Sequence, residues 1–88
     1  MHFENNYVDF EPWLSRLIDE HNQLDAALSA LRKFRNSEGI KRIDGIQAQL
    51  MHQQERHMSH YLDILNTRIL RGLTQFSAGQ EQDRRSTL

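Results

Sequence analysis

Residues 44–76 read DGIQAQLMHQQERHMSHYLDILNTRILRGLTQF, and the spacing of their apolar positions decides the fold. Ile46, Leu50, Met58, Tyr61, Leu65, Ile69, Leu73 and Phe76 recur at helical intervals, and Met51, Leu62, Ile64 and Leu70 widen the stripe. The pattern predicts a helix over about 44–76. Asp44, followed three residues later by Gln47, resembles a capping box with Asp in place of the usual Ser or Thr. Gly45 and Gly72 each cost about 1 kcal/mol relative to Ala, too little to break such a helix.

Upstream, Leu14, Leu17, Ile18, Leu24, Leu28 and Leu31 repeat at steps of three and four, with Phe34 extending the row and His21 lying on it. This predicts a first helix over about 11–35. Asp9 can cap it, and Pro12 is tolerated in its first turn. Asn36, Ser37 and Gly39 gather turn formers at its end, and Gly39 can supply a positive φ. Ile40 and Ile43, three apart, suggest a helical turn plugging the connection. The expected class is therefore all-α: an antiparallel two-helix hairpin over 11–77, with a short N-terminal arm (1–10) and a flexible polar tail (78–88). Phe3, Tyr7, Val8 and Phe10 are the arm residues able to pack on the helices.

Two helices share one seam, so each buried side chain keeps an open flank. The second helix carries more apolar surface than that seam can cover. A helix apolar over much of its circumference expects neighbours on more than one side, and closed symmetric assembly is the common way to supply them. The chain is expected to form a helical-bundle homo-oligomer, a dimer or higher, through Leu62, Leu65, Ile69, Leu70 and Leu73.

Composition narrows the function classes. The 88 residues carry 11 Lys and Arg against 12 Asp and Glu, a formal net charge of -1. No basic excess exists to neutralise a phosphate backbone, so DNA is not an expected partner. The absence of cysteine removes disulfides and thiolate metal sites. No apolar run approaches the roughly 20 residues of a membrane span. The expectation is a cytoplasmic protein.

Few residues offer chemistry. His57 and His60 can share a helix face, but an inward Glu-x-x-His pattern is absent from the second helix, since Glu55 is two residues from His57. No metal and no cofactor is expected. His21 is expected to be a hydrogen-bonded interface histidine. Ser15, Ser59 and the histidines form no nucleophile motif, and no Gly-rich phosphate loop occurs, so the chain is not expected to be an enzyme. Gln54, Tyr61 and Arg68, seven residues apart, lie along one strip. An aromatic face, a guanidinium and an amide suit a nucleotide or carboxylate ligand. Arg16 completes the candidate set of Arg16, Gln54, Tyr61 and Arg68. The alternative reading is ordinary interface polarity, with Arg paired to Asp or Glu of the first helix.

From Trp13 to Leu70 the sequence resembles a family of small phage and prophage proteins grouped by their relation to a protein of a crAss-like phage. The resemblance is carried by Arg16-Leu17, Glu20 and Leu24, Phe34, Ile40 and Ile43, Gln54, Met58 and Tyr61, Ile64-Leu65 and Arg68-Ile69. Ile40 stands where Phe is more usual, and Asp44 where Pro or Ser is expected. Both keep the plug and the cap of the linker. The resemblance implies a phage gene expressed in a bacterial cytoplasm. Small phage helical oligomers of similar architecture counter host defence, some by holding cyclic nucleotide signals between subunits and others by binding a host protein. The expectation is a non-enzymatic binding protein directed at a cyclic nucleotide or a host defence protein. The alternatives are an inhibitor or adaptor of another host protein, or a small structural or scaffold component of the phage.

Overall fold

The structure is a computed structural model that describes residues 2–6 and 11–86, with side chains described up to residue 75. Two helices, α1 (Pro12–Arg35) and α2 (Gly45–Ser86), are joined through a 3₁₀ turn at Glu38–Arg42. No strand occurs among the described residues. The molecule measures 66 × 18 × 16 Å. At a rise of 1.5 Å per residue α2 alone is about 63 Å long, so it sets the long axis and α1 folds back along it as far as Gly72.

Leu14, Leu17 and Ile18 of α1 meet Leu65 and Ile69 of α2 in one buried cluster, with Phe3, Leu24 and Leu73 packed on its edges. Burying side chains of this size stabilises by about 1.5–3 kcal/mol each. Towards the connection Leu28 is also buried. There Arg32 and Arg35 of α1 both engage Glu55 of α2, Arg32 through Nε at 3.2 Å, and the Arg35 guanidinium also donates to His52 Nδ1 at 3.0 Å.

The local signals at the helix ends have physical outcomes. Asp44 Oδ1 accepts from the Gln47 N–H at 2.8 Å, which caps α2 as the sequence suggested. At the start of α1 Pro12 occupies the first turn, but Glu11 makes no side-chain cap bond. Asp9, Tyr7, Val8 and Phe10 lie outside the described residues. Ser37 donates to the Phe34 carbonyl at 2.6 Å and accepts from the Gly39 N–H at 3.2 Å, which starts the 3₁₀ turn. Gly39 is not needed for a positive φ, because no glycine adopts one. Its place is explained by the Phe34 ring, which would lie 2.8 Å from a Cβ there. The polar tail expected to be flexible falls beyond the described side chains, and the α2 backbone continues to Ser86.

The arm occupies one flank of the hairpin. The Asn22 amide pairs with the Phe3 backbone through two hydrogen bonds, accepting from Phe3 N at 3.1 Å and donating to Phe3 O at 2.9 Å. Asn5 Nδ2 donates to Ser15 Oγ and to Asp19 Oδ1, each at 2.9 Å. The Phe3 ring stands edge-on to His21 with centroids 4.7 Å apart. His21 is 1% exposed. This corrects the expectation of an interface histidine, since the chain's own arm covers it.

The expected oligomer surface also moves. Leu65 and Ile69 are fully covered within the single chain, so they offer nothing to a second one. Leu62 and Leu73 are half-buried, and of the five only Leu70 is exposed. The hairpin seam lies closer to the centre of the α2 stripe than spacing alone revealed, and the apolar surplus falls to either side of it. The Leu65→Ala variant should lose about 2–5 kcal/mol of stability through the cavity it opens. Leu70→Ala should change it by less than about 0.5 kcal/mol. Denaturant titration followed by circular dichroism distinguishes the two, and equal losses would contradict the placement of the seam.

Candidate functional site

α1 has two flanks beside the seam. The arm covers the one bearing Ser15, Asp19 and Asn22. The other is open, and there Trp13, Arg16, Leu17 and Glu20 line a shallow groove with Arg68 of α2. Steps of three and four bring Trp13, Arg16, Leu17 and Glu20 onto neighbouring turns of α1. The antiparallel pairing places Arg68 beside them.

Each wall of the groove has a local cause. Trp13 is 43% exposed, yet its indole is held at both ends. Nε1 donates to Glu11 Oε2 at 2.9 Å. The far edge of the ring rests where a Cβ on residue 72 would sit, 2.8 Å from Cη2. Gly72 therefore gives up helix propensity to let an aromatic ring approach the α2 backbone. Leu17 is a buried apolar residue beneath the charged rim. The Tyr61 hydroxyl donates to Glu20 Oε1 across the two helices. That bond, followed by partial desolvation and the Glu20 charge, pushes the Tyr61 phenol above its usual range, and the nearby Arg68 charge pulls it back. Tyr61 thus stays a neutral donor at physiological pH, and Glu20 is turned towards it. Arg16 and Arg68 are exposed, and neither joins an ion pair among the described residues.

Of the four residues singled out from the sequence, Arg16 and Arg68 line this groove, and Tyr61 reaches its edge through the bond to Glu20. Gln54 does not. It is exposed two turns before Tyr61 and lines none of the groove. Sequence reasoning missed Trp13 and Glu20. The signal was present, since Trp13, Arg16 and Glu20 repeat at steps of three and four on one side of α1. The contribution of Gly72 had no signal, because it depends on which helix crosses there.

A second cluster lies near the connection, where Arg32, His52, Glu55, Arg56, Ser59, His60 and Asp63 line an open depression. Its chemistry differs. Glu55 neutralises Arg32 and Arg35, and Arg32 also reaches Ser59 Oγ at 3.5 Å. His57 and His60 border a shallow surface with Gln53 and Arg56. No three His, Asp or Glu side chains among the described residues are grouped as a metal ion would require. No helix, among the described residues, is long and apolar enough to cross a membrane.

A two-helix hairpin with an open groove that sets Trp13 beside two guanidinium groups outside any ion pair among the described residues has the character of a small binding protein. Residues 11–71 match the model of the Sequestin family, and the chain belongs to that family. No curated protein and no solved structure matches it. The family name is that of a protein that sequesters, which accords with a binding role.

The Gly72→Ala variant isolates what the glycine does. Alanine is favoured in a helix by about 1 kcal/mol, but its methyl group displaces the Trp13 ring. The expected outcome is a fold of similar stability with a red-shifted fluorescence maximum, since Trp13 is the only tryptophan. An unshifted spectrum would contradict the close ring–backbone contact.

Proposed function

We propose that this chain is a non-enzymatic protein that sequesters a nucleotide-class ligand, a cyclic nucleotide signal in particular, and thereby counteracts a host defence. The observation that carries the reading is the pairing of Trp13 and Tyr61 with Arg16 and Arg68 along one open flank. A nucleobase has a flat π-face that stacks on aromatic rings or on a guanidinium plane. A phosphate is recognised by the planar fork of Arg. The remaining lone pairs of the Glu20 carboxylate and of the Tyr61 hydroxyl oxygen add acceptors for ribose or base donors. No group in the groove provides a nucleophile backed by a base, which supports binding without turnover.

A phage origin and the bacterial cytoplasm as the place of action are part of the proposal, and the resemblance carried by the motifs between Trp13 and Leu70 supports them. The family's name supports sequestration in general, and the groove suggests what is sequestered. Sequestration by a chain of this size works by stoichiometry, so tight binding and intact release are its signatures. The groove is shallow and open on its outer side, which favours assembly of at least two copies to enclose a ligand.

Calorimetry of the purified chain against a panel of linear and cyclic mono- and dinucleotides tests the reading. At least one class should bind and be recovered unchanged after heat denaturation of the protein. Arg16→Ala and Arg68→Ala should each weaken binding by about ten- to hundredfold, the worth of one charge-assisted contact. Absence of heat for every nucleotide, or recovery of a hydrolysed product, would overturn it.

A further inference from the structure

The groove has an order along its length. Trp13 stands at one end, where its ring meets the α2 backbone at Gly72. Glu20 stands at the other, bonded to Tyr61. Trp13 and Glu20 are seven residues apart, about 10 Å along the α1 axis. Arg16 falls between them on α1, and Arg68 falls between Tyr61 and Gly72 on α2, with buried Leu17 beneath. The groove therefore presents, in sequence, an aromatic face, a pair of cations and an acceptor.

The acceptor end is chemically selective. An ionised carboxylate accepts hydrogen bonds and donates none. Glu20 Oε1 takes the Tyr61 proton, and the other oxygen joins no bond among the described residues. The Tyr61 bond fixes the carboxylate without neutralising it. A group so placed attracts a hydroxyl and repels a further negative charge.

We propose that Glu20 is the specificity-determining residue of the groove, and that it selects a ribose hydroxyl beside a bridging phosphodiester over a deoxyribose or a terminal phosphate. This rests on the nucleotide reading above and narrows it. With a base stacked on Trp13 and the phosphate between Arg16 and Arg68, whatever meets Glu20 lies on the far side of the phosphate. A mononucleotide ends there in a phosphate monoester, whose additional charge faces the carboxylate. A diester carries a single charge, which the two arginines share, and continues into a second sugar. The first donors met on that sugar are its hydroxyls, and base donors stand a whole sugar further on. Acidic side chains read ribose hydroxyls in the same manner in dinucleotide-binding folds.

The test keeps adenine throughout and varies only the backbone. Calorimetry compares the 3′,5′-linked ribodinucleotide ApA, its deoxy counterpart dApdA and 5′-AMP. The unaltered chain should bind ApA at least about tenfold more tightly than dApdA, the worth of one charge-assisted hydrogen bond. It should also prefer ApA to AMP by about tenfold. Glu20→Gln keeps an oxygen for Tyr61 and removes the charge. In that variant the gap between ApA and dApdA should narrow and AMP should bind more tightly, with unchanged helical circular dichroism. Equal affinity for ApA and dApdA, AMP bound as tightly as ApA, or a Glu20→Gln variant that weakens all three alike overturns the proposal. No heat from any of the three overturns it as well. Heat from another member of the nucleotide panel then leaves the binding reading standing, whereas silence from the whole panel ends both.

Discussion

The burial of Leu14, Leu17 and Ile18 against Leu65 and Ile69 is the constraint from which the other features follow. A two-helix hairpin has only this seam to offset the entropy of ordering its chain. Because the seam is narrow, everything beside it has to be covered by something else or left to solvent. On one flank the arm does the covering, held by the paired amide of Asn22 and by Asn5 on Ser15 and Asp19. On the other flank none of the described residues intervenes, and this is where Trp13, Arg16 and Arg68 collect, with Tyr61 at the edge. The asymmetry between the flanks, rather than any single residue, defines the site.

The two helices and their hairpin were legible because their signal is local. Apolar steps of three and four, Pro12 at an entrance and Asp44 three before Gln47 each act over one or two turns. What was not legible depends on how the helices are rotated about their axes. A wide stripe such as that of α2 fixes which side is apolar without fixing which part of it meets α1. Leu65 and Ile69 were therefore assigned to a surface between chains, when they form the centre of the hairpin core. His21 was misplaced for a related reason, since a polar residue on an apolar stripe can be satisfied from within the chain as well as from outside. The arm that satisfies it has no periodicity to announce its path.

The groove divides in the same way. Tyr61 and Arg68 share a helix face by spacing alone. Their meeting with Arg16 requires the antiparallel register that places Glu20 opposite Tyr61. Gln54 shares their spacing but stands two turns away from the groove. A strip on one helix is longer than the site it helps to build, and the crossing helix decides which part of the strip is used. Gly72 is the extreme case. Read along the chain, it is only a defect in α2. Across the seam it is the reason a tryptophan ring can lie against the helix backbone.

The distribution of charge argues in the same direction as the packing. The chain has nearly balanced charges overall, so an unneutralised pair of arginines is a local choice. Near the connection two arginines converge on Glu55 and are used up in holding the helices together. At the open end the acidic residue available to Arg16 and Arg68 is Glu20, and it is engaged by the Tyr61 hydroxyl instead. Had Glu20 paired with either guanidinium, an incoming anion would have to displace a carboxylate from that arginine. By accepting a proton donor that carries no charge, Glu20 keeps its place while leaving the arginines available. On the proposed reading, an anion arriving there would exchange water for two charge-assisted contacts and break no internal ion pair among the described residues, which is the electrostatic condition for tight capture by so small a surface.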